Sequence, residues 1–136
     1  MKKIFSKTTF IVIFLFCSIK IFAQSKAIPV FVSGTDGYKS FRIPAIVKAK
    51  NGDLLAFFEG RVNGGSEFGN IKIVLKRSND GGQTWSGLQI VASNDSLQAG
   101  NPAPVVDLTD PRFPQGRIFL FYNTGNGHEM EMRKGK

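Results

Sequence analysis

Ser78-Asn79-Asp80-Gly81-Gly82-Gln83-Thr84-Trp85 lies between two short apolar runs and fits the pattern S-x-D-x-G-x-T-W at every fixed position. Its chemistry is that of a turn. Asp80 can accept hydrogen bonds from the N–H groups of its own loop, and Gly82 can take the positive φ such a loop needs. Trp85 supplies a large apolar plate that staples the loop to the layer beneath. Asp80 therefore reads as a turn-maker, not a catalytic group. The stretch predicts strand, loop, strand, and the rest of the chain is read outward from it.

Upstream, Ile71-Lys72-Ile73-Val74-Leu75-Lys76-Arg77 is the strand that enters the loop; downstream, Leu88-Gln89-Ile90-Val91 leaves it. Leu54-Leu55-Ala56-Phe57-Phe58 is a nearly continuous apolar run, which predicts a strand covered on both faces, with Phe57 and Phe58 in the core. Asn51-Gly52 is a hairpin signal that joins it to a strand over Ala45 to Ala49. Arg61 to Asn70 is polar and glycine-rich, hence a loop. Ile28-Pro29-Val30-Phe31-Val32 reads as a further short edge strand ahead of the turn Gly34-Thr35-Asp36-Gly37. Tight turns and the lack of a helical period predict an antiparallel four-stranded sheet.

A second sheet begins with strands over Ala103 to Leu108 and Arg117 to Tyr122, joined by a loop with two prolines. Four-stranded sheets repeated along a chain predict an all-β fold, a β-propeller, which usually needs four to eight blades. The 136 residues hold the first one to two blades of such a ring, an incomplete propeller.

Two dozen residues at the start belong to something else. Lys2, Lys3 and Lys7 form a positive n-region, Thr8 to Ile19 is almost wholly apolar, and Ile21-Phe22-Ala23 offers a small residue before Gln24. That is the pattern of a secretory signal peptide over residues 1–23, with an apolar run shorter than the roughly 20 residues that span a bilayer. Phe16 ahead of Cys17 fits a lipoprotein signal poorly. The expected mature chain is 24–136, secreted or periplasmic, with association at the cell surface as a variant, and with no membrane span after cleavage. Its loss removes four lysines and halves the formal net charge of +8. The modest positive excess that is left suits an anionic ligand. No basic run with interleaved aromatics argues for nucleic acid. With Cys17 lost and only His128 left, neither a disulfide nor a zinc site can be built, so no metal and no cofactor is expected.

Candidate binding chemistry centres on Phe41-Arg42-Ile43-Pro44. Phe41 and Ile43 seek burial and anchor the backbone, so Arg42 is held in one geometry at the mouth of a strand. A fixed guanidinium fork suits a carboxylate, which it grips through two parallel hydrogen bonds. The plainer alternative is a surface arginine whose stem packs on Phe41. His128 in Gly127-His128-Glu129 reads as a solvated loop residue, and Asp95 and Asp110 as turn and capping residues.

Phe41-Arg42-Ile43-Pro44 followed by Ser78–Trp85, an Asp box, resembles the bacterial exo-α-sialidases (neuraminidases) of the retaining six-bladed propeller family, also called the BNR-repeat family. Glu59-Gly60-Arg61, Ile73-Val74-Leu75-Lys76-Arg77-Ser78, Asn101-Pro102-Ala103-Pro104-Val105-Val106-Asp107 and Phe121-Tyr122-Asn123-Thr124-Gly125-Asn126 carry the likeness from about Ile28 onward, over about the first third of such an enzyme. The resemblance implies a structural role for Ser78, Asp80, Gly82, Thr84 and Trp85. It implies that Arg42 is the first of three arginines that grip the sugar carboxylate, and that Arg61 supports that pocket or touches a ring hydroxyl. Asn101 and Asp107 fall on a stretch that runs beside the glycone, with Asn101 the direct contact of the two. Where the family has an acid/base aspartate this chain has Glu67, which has the right chemistry and one extra methylene. Asn70 and Lys72 stand where relatives often carry acidic residues. Sialidases use a tyrosine nucleophile, since a carboxylate would repel the substrate's own carboxylate. Neither Tyr38 nor Tyr122 matches its place; that tyrosine, its glutamate and two more arginines are expected beyond Lys136.

The expected function is release of terminal sialic acid from sialylated glycoconjugates, namely glycoproteins, glycolipids (hence ganglioside catabolism) and oligosaccharides. Two alternatives stand beside it: a non-hydrolytic sialoglycan-binding propeller, and an Asp-box propeller of unrelated function.

Overall fold

The computed structural model describes residues 27–125, 127, 129–132 and 134–135; the leader 1–23 and His128 fall outside the described residues. The described chain is all-β apart from one helical turn, Glu129–Met132. Six strands follow one another: β1 Ser40–Lys48, β2 Leu54–Arg61, β3 Ile71–Ser78, β4 Gln89–Ala92, β5 Ala99–Asp107 and β6 Arg117–Thr124. The first four form one antiparallel sheet in sequence order, and β5 and β6 pair antiparallel as the start of a second. Four antiparallel strands in one sheet and two in another are consistent with a partial propeller.

The alternation of side chains along β2 explains why an unbroken apolar run was needed there. Phe57 turns to one face, where it packs with Ile73, Ala92 and Ala99, flanked by Ala45, Val47, Leu55, Leu75 and Leu120. Phe58 turns to the other, where Phe31 stacks on it with ring centroids 4.4 Å apart and also meets Phe41 at 5.0 Å. Lys76 completes that second face, its ammonium 5.0 Å from the Phe31 ring centroid and 3.1 Å from Asp36.

Phe31 therefore belongs to a packed segment, not to a strand. The expected strand Ile28–Val32 does not form: none of it pairs with a sheet edge. Instead Val32 closes a turn, its carbonyl accepting from the N–H and the hydroxyl of Thr35 at 3.2 and 2.7 Å. Side-chain stacking places this segment where a ladder was expected.

Between β1 and β2 the N–H of Gly52 donates to the Ala49 carbonyl at 2.9 Å, and Gly52 takes φ 95°. The hairpin is thus a turn followed by a left-handed glycine, not the tightest two-residue form.

Both β1 and β5 start earlier than sequence alone suggests, because each contains a bulge beside its proline. Pairing with the neighbouring strand shifts between Arg42 and Ala45 in β1, and between Gly100 and Ala103 in β5. Within each bulge the residue before proline is left-handed, Ile43 at φ 52° and Asn101 at φ 54°. The bulge lets the ladder continue past Pro44 and Pro102, which have no N–H to offer. Arg42 consequently lies inside β1 and not at its mouth.

Candidate active site

The end of the first sheet where β1 begins and β2 finishes is built around one buried carboxylate. Glu59 and Arg61 are two residues apart on β2, so both side chains point to the same face as Phe57, toward the second sheet. Glu59 is 1% exposed and Arg61 2%. Arg61 donates from Nε and Nη2 to Glu59 Oε2 at 3.0 and 2.6 Å. The other carboxylate oxygen, Oε1, accepts from the backbone N–H of Asn101 at 2.8 Å. One side chain thus bonds within its own strand and across to β5.

Arg61 has a third duty. Its Nη1 donates to the carbonyls of Gly65 and Ser66 at 2.8 and 2.9 Å, and the Ser40 hydroxyl donates to the carbonyl of Gly64 at 2.8 Å. Three successive carbonyls of the loop after β2 are pinned, and Glu67 comes next. Its carboxylate lies 3.7 Å from Nη1 of Arg42. Half of the Arg42 side chain and two-thirds of that of Glu67 remain open to solvent. Asn101 is exposed as well, its Nδ2 donating to Asn123 Oδ1 at 3.0 Å. Near the base of the loop Asn70 Oδ1 is a buried acceptor with no partner among the described residues.

Four of the residues singled out in the sequence, Arg42, Arg61, Glu67 and Asn101, therefore meet at one end of the sheets. Arg42, Glu67 and Asn101 face solvent there, while the guanidinium of Arg61 is taken up by Glu59 and the loop. Asp107 is elsewhere. It lies six residues further along β5 than Asn101, about 20 Å at strand spacing. There its Oδ1 accepts from the N–H and hydroxyl of Thr109 at 2.8 and 2.7 Å, and its Oδ2 from Arg117 Nε at 2.9 Å. The Thr109 bonds, then Arg117, hold the Asp107 carboxyl down to about 2. A cleft of about 430 Å³ opens beside it, between Lys50, Arg77, Val106 and Arg117.

The Ser78–Trp85 loop sits at that same far end. Asp80 Oδ1 accepts from the Ser78 hydroxyl and from the N–H groups of Gln83 and Thr84, and Oδ2 accepts from the Thr84 hydroxyl at 2.6 Å. These bonds, led by the Thr84 hydroxyl, hold its carboxyl far below the ordinary range. Trp85 Nε1 donates to the Gly82 carbonyl at 3.1 Å, and Gly82 takes φ 93°. Every side chain of the pattern with a polar group is used inside the loop.

Glu59 was not singled out by the sequence except as part of Glu59-Gly60-Arg61. The signal was present: two opposite charges at a spacing of two, directly after a doubly buried apolar run, must share a buried face.

No protein-family profile matches the chain. Comparison with characterised proteins relates it to sialidases. It is 36% identical over 95 residues to a sialidase of Micromonospora viridifaciens, a match covering 67% of this chain and 14% of that protein. It is 37% identical over 97 residues to an exo-alpha-sialidase of Arthroderma benhamiae, covering 67% and 22%. Against an exo-alpha-sialidase of Aspergillus fumigatus identity is 43% over 77 residues, covering 52% and 19%. The chain thus spans only about a seventh to a fifth of the length of these relatives.

Proposed function

We propose that this chain contributes the first blade and part of the second to an exo-α-sialidase, which releases terminal sialic acid from glycoconjugates with retention of configuration. The observation that carries the reading is the meeting of Arg42 and Glu67 at one solvent-facing rim, 3.7 Å apart, in a stretch similar to sialidases. Arg42 offers a guanidinium fork to the sugar carboxylate. That carboxylate would take the place of Glu67 on Arg42 and free Glu67 to protonate the leaving oxygen and later deprotonate water. Asn101 would contact the glycone, and Arg61 would act from beneath, through the loop it holds.

In this reading the nucleophile comes from outside the described residues, since neither Tyr38 nor Tyr122 matches its place in the family. Tyr38 is unsuited: it is 6% exposed, and burial, followed by the charge of Asp36, pushes its hydroxyl up. The Ser78–Trp85 loop is the Asp box of the blade in this reading, and residues 1–23 direct export. Sialylated glycoproteins, glycolipids and oligosaccharides are the substrates.

The test is release of free sialic acid from a sialyl-oligosaccharide by a protein that carries these sheets and the blades needed to close the ring. Release that is lost in Arg42→Ala supports the reading. Binding of the oligosaccharide with no release would instead favour the non-hydrolytic alternative, which the exposed, arginine-paired Glu67 also fits. Ligand binding indifferent to Arg42 would leave an unrelated propeller.

A further inference from the structure

We infer that Glu59 is the positioning residue of this site, setting the place of the acid-bearing loop through Arg61 and the place of Asn101 directly. The inference rests on the reading of Glu67 as the acid. Its physical basis is the energetics of buried charge. A buried ion pair gives up much hydration, and apolar residues of similar volume would often stabilise a core as well or better. Glu59 and Arg61 lie next to the Phe57 cluster, where apolar neighbours were available. What the pair provides that an apolar pair cannot is direction. Its three outward contacts reach the Gly65 and Ser66 carbonyls and the Asn101 N–H, while within β2 each charge holds the other.

The second sheet is shaped to receive this carboxylate. A Cβ at Gly100 would lie 2.6 Å from Glu59 Oε1 and 2.6 Å from Gln98 Nε2. Gly100 does not need a left-handed backbone, so closeness to this carboxylate and to the Gln98 side chain accounts for the glycine. Glu59 is also the register partner of Arg42 across β1 and β2. The residue that grips the ligand, the loop that carries the acid and the exposed asparagine are thereby referenced to one buried group.

Glu59→Gln tests it. The amide keeps the shape but has one acceptor oxygen where the carboxylate has two, one facing Arg61 and one facing the Asn101 N–H, so one of these loses its partner. Hydrogen exchange at the Val62, Phe68 and Asn101 amides, which donate to the Asn70 carbonyl, the Ser66 hydroxyl and Glu59 Oε1, should then speed up while the β2 and β3 core amides stay protected. In the closed-ring protein, turnover of an unactivated sialoside should fall about tenfold or more, since displacements near 1 Å can cost about a hundredfold. An activated aryl sialoside, which leaves without acid help, should lose much less. Added to Glu67→Gln, Glu59→Gln should cost little more, because both changes act on the same step. Arg61→Lys keeps the charge but offers one nitrogen where Arg61 uses three, so it cannot hold both Glu59 and the two carbonyls in the same geometry and should loosen the same loop if Glu59→Gln fails to fold. Unchanged loop exchange, equal losses on both substrates, or losses that multiply in the double variant would overturn the inference. A wild-type protein that releases no sialic acid would sink the functional reading alone, and loop exchange would still decide whether Glu59 sets the loop.

Discussion

Arg42 on β1 and Glu67 on the loop after β2 approach to 3.7 Å with both side chains largely in water. An exposed pair of this kind stabilises by about 0–1 kcal/mol. It is therefore a contact that a ligand carboxylate can replace at little expense, in contrast to the buried Arg61–Glu59 pair below it, which nothing in solution can reach. One arginine is available and the other is committed.

Availability of Arg42 makes it the first test. A charge-assisted hydrogen bond is worth roughly 1.5–3 kcal/mol, so Arg42→Ala should weaken binding of a sialic acid carboxylate by about ten- to a hundredfold. Arg42→Lys should recover part of this, since a point charge cannot reproduce the fork. Calorimetric titration of the closed-ring protein reads both; affinity unchanged in Arg42→Ala would leave Arg42 a surface residue.

Glu67 should act on the chemical step. General acid–base catalysis contributes about 10²–10⁴-fold, so Glu67→Gln should lower kcat by that order for sialosides with poor leaving groups. An activated aryl sialoside should be spared. Glu67→Asp should keep or raise the rate if the shorter side chain fits better. Comparing kcat on the two substrates checks the role, and equal losses would contradict it.

Acid stability should carry the signature of Asp107. Its carboxyl titrates at about 2 in the fold, held there by Thr109 and then Arg117, against roughly 3.9 for an unperturbed aspartate. A depressed carboxyl stabilises the fold fully above the unfolded value and loses that contribution as pH falls through the folded one. Asp107→Asn should flatten the decline between about pH 4 and pH 2. Urea midpoints measured across that window decide it; a decline of unchanged slope would show that Asp107 contributes nothing to it.

Glycine positions separate crowding from strain. A Cβ at Gly60 would sit 2.7 and 2.8 Å from ring carbons of buried Tyr38. Gly60→Ala should therefore destabilise by about 1–3 kcal/mol. Gly82→Ala has room, with Leu54 at 3.6 Å, but would force alanine to φ 93°, which should cost about 1 kcal/mol or more. Gly65, with open space and no left-handed backbone, is the control and should change stability by less than about 0.5 kcal/mol as alanine. Thermal melts of the three variants check the order.

Self-association of residues 24–136 by themselves is the last expectation. Ile46, Val105, Phe119 and Phe121 are 59%, 50%, 42% and 61% exposed. Val105 faces Phe119 across β5 and β6, and the Phe119 and Phe121 rings lie 6.4 Å apart. An apolar sheet face of this kind beside an unpaired strand edge invites association. Sedimentation should show oligomers that Phe121→Lys reduces; a monomer at all concentrations would refute this.

The strands and turns of the first sheet were legible because their causes are local. Side-chain period along a strand, the left-handed glycine after Asn51 and the closed set of donors around Asp80 all act within a few residues. The same locality made the Ser78–Trp85 loop readable as structure and not as chemistry. Prolines misled the strand limits, since a proline reads as a boundary unless a bulge absorbs its missing N–H, as at Pro44 and Pro102.

What tertiary structure decided was which groups are free and which are spent. Sequence alone could mark both Arg42 and Arg61 as candidates; only folding showed that one guanidinium faces water while the other is held by Glu59 and two loop carbonyls. Folding also put Asn101 at Glu59, 42 residues away, while Asp107 on the same strand went to the opposite end. Burial of a charged side chain is set by the elements that close over it, and those elements are distant in the chain. Phe31 makes the same point for packing: its segment looks like a strand by composition, yet it stacks on Phe41 and Phe58 and pairs with no sheet edge.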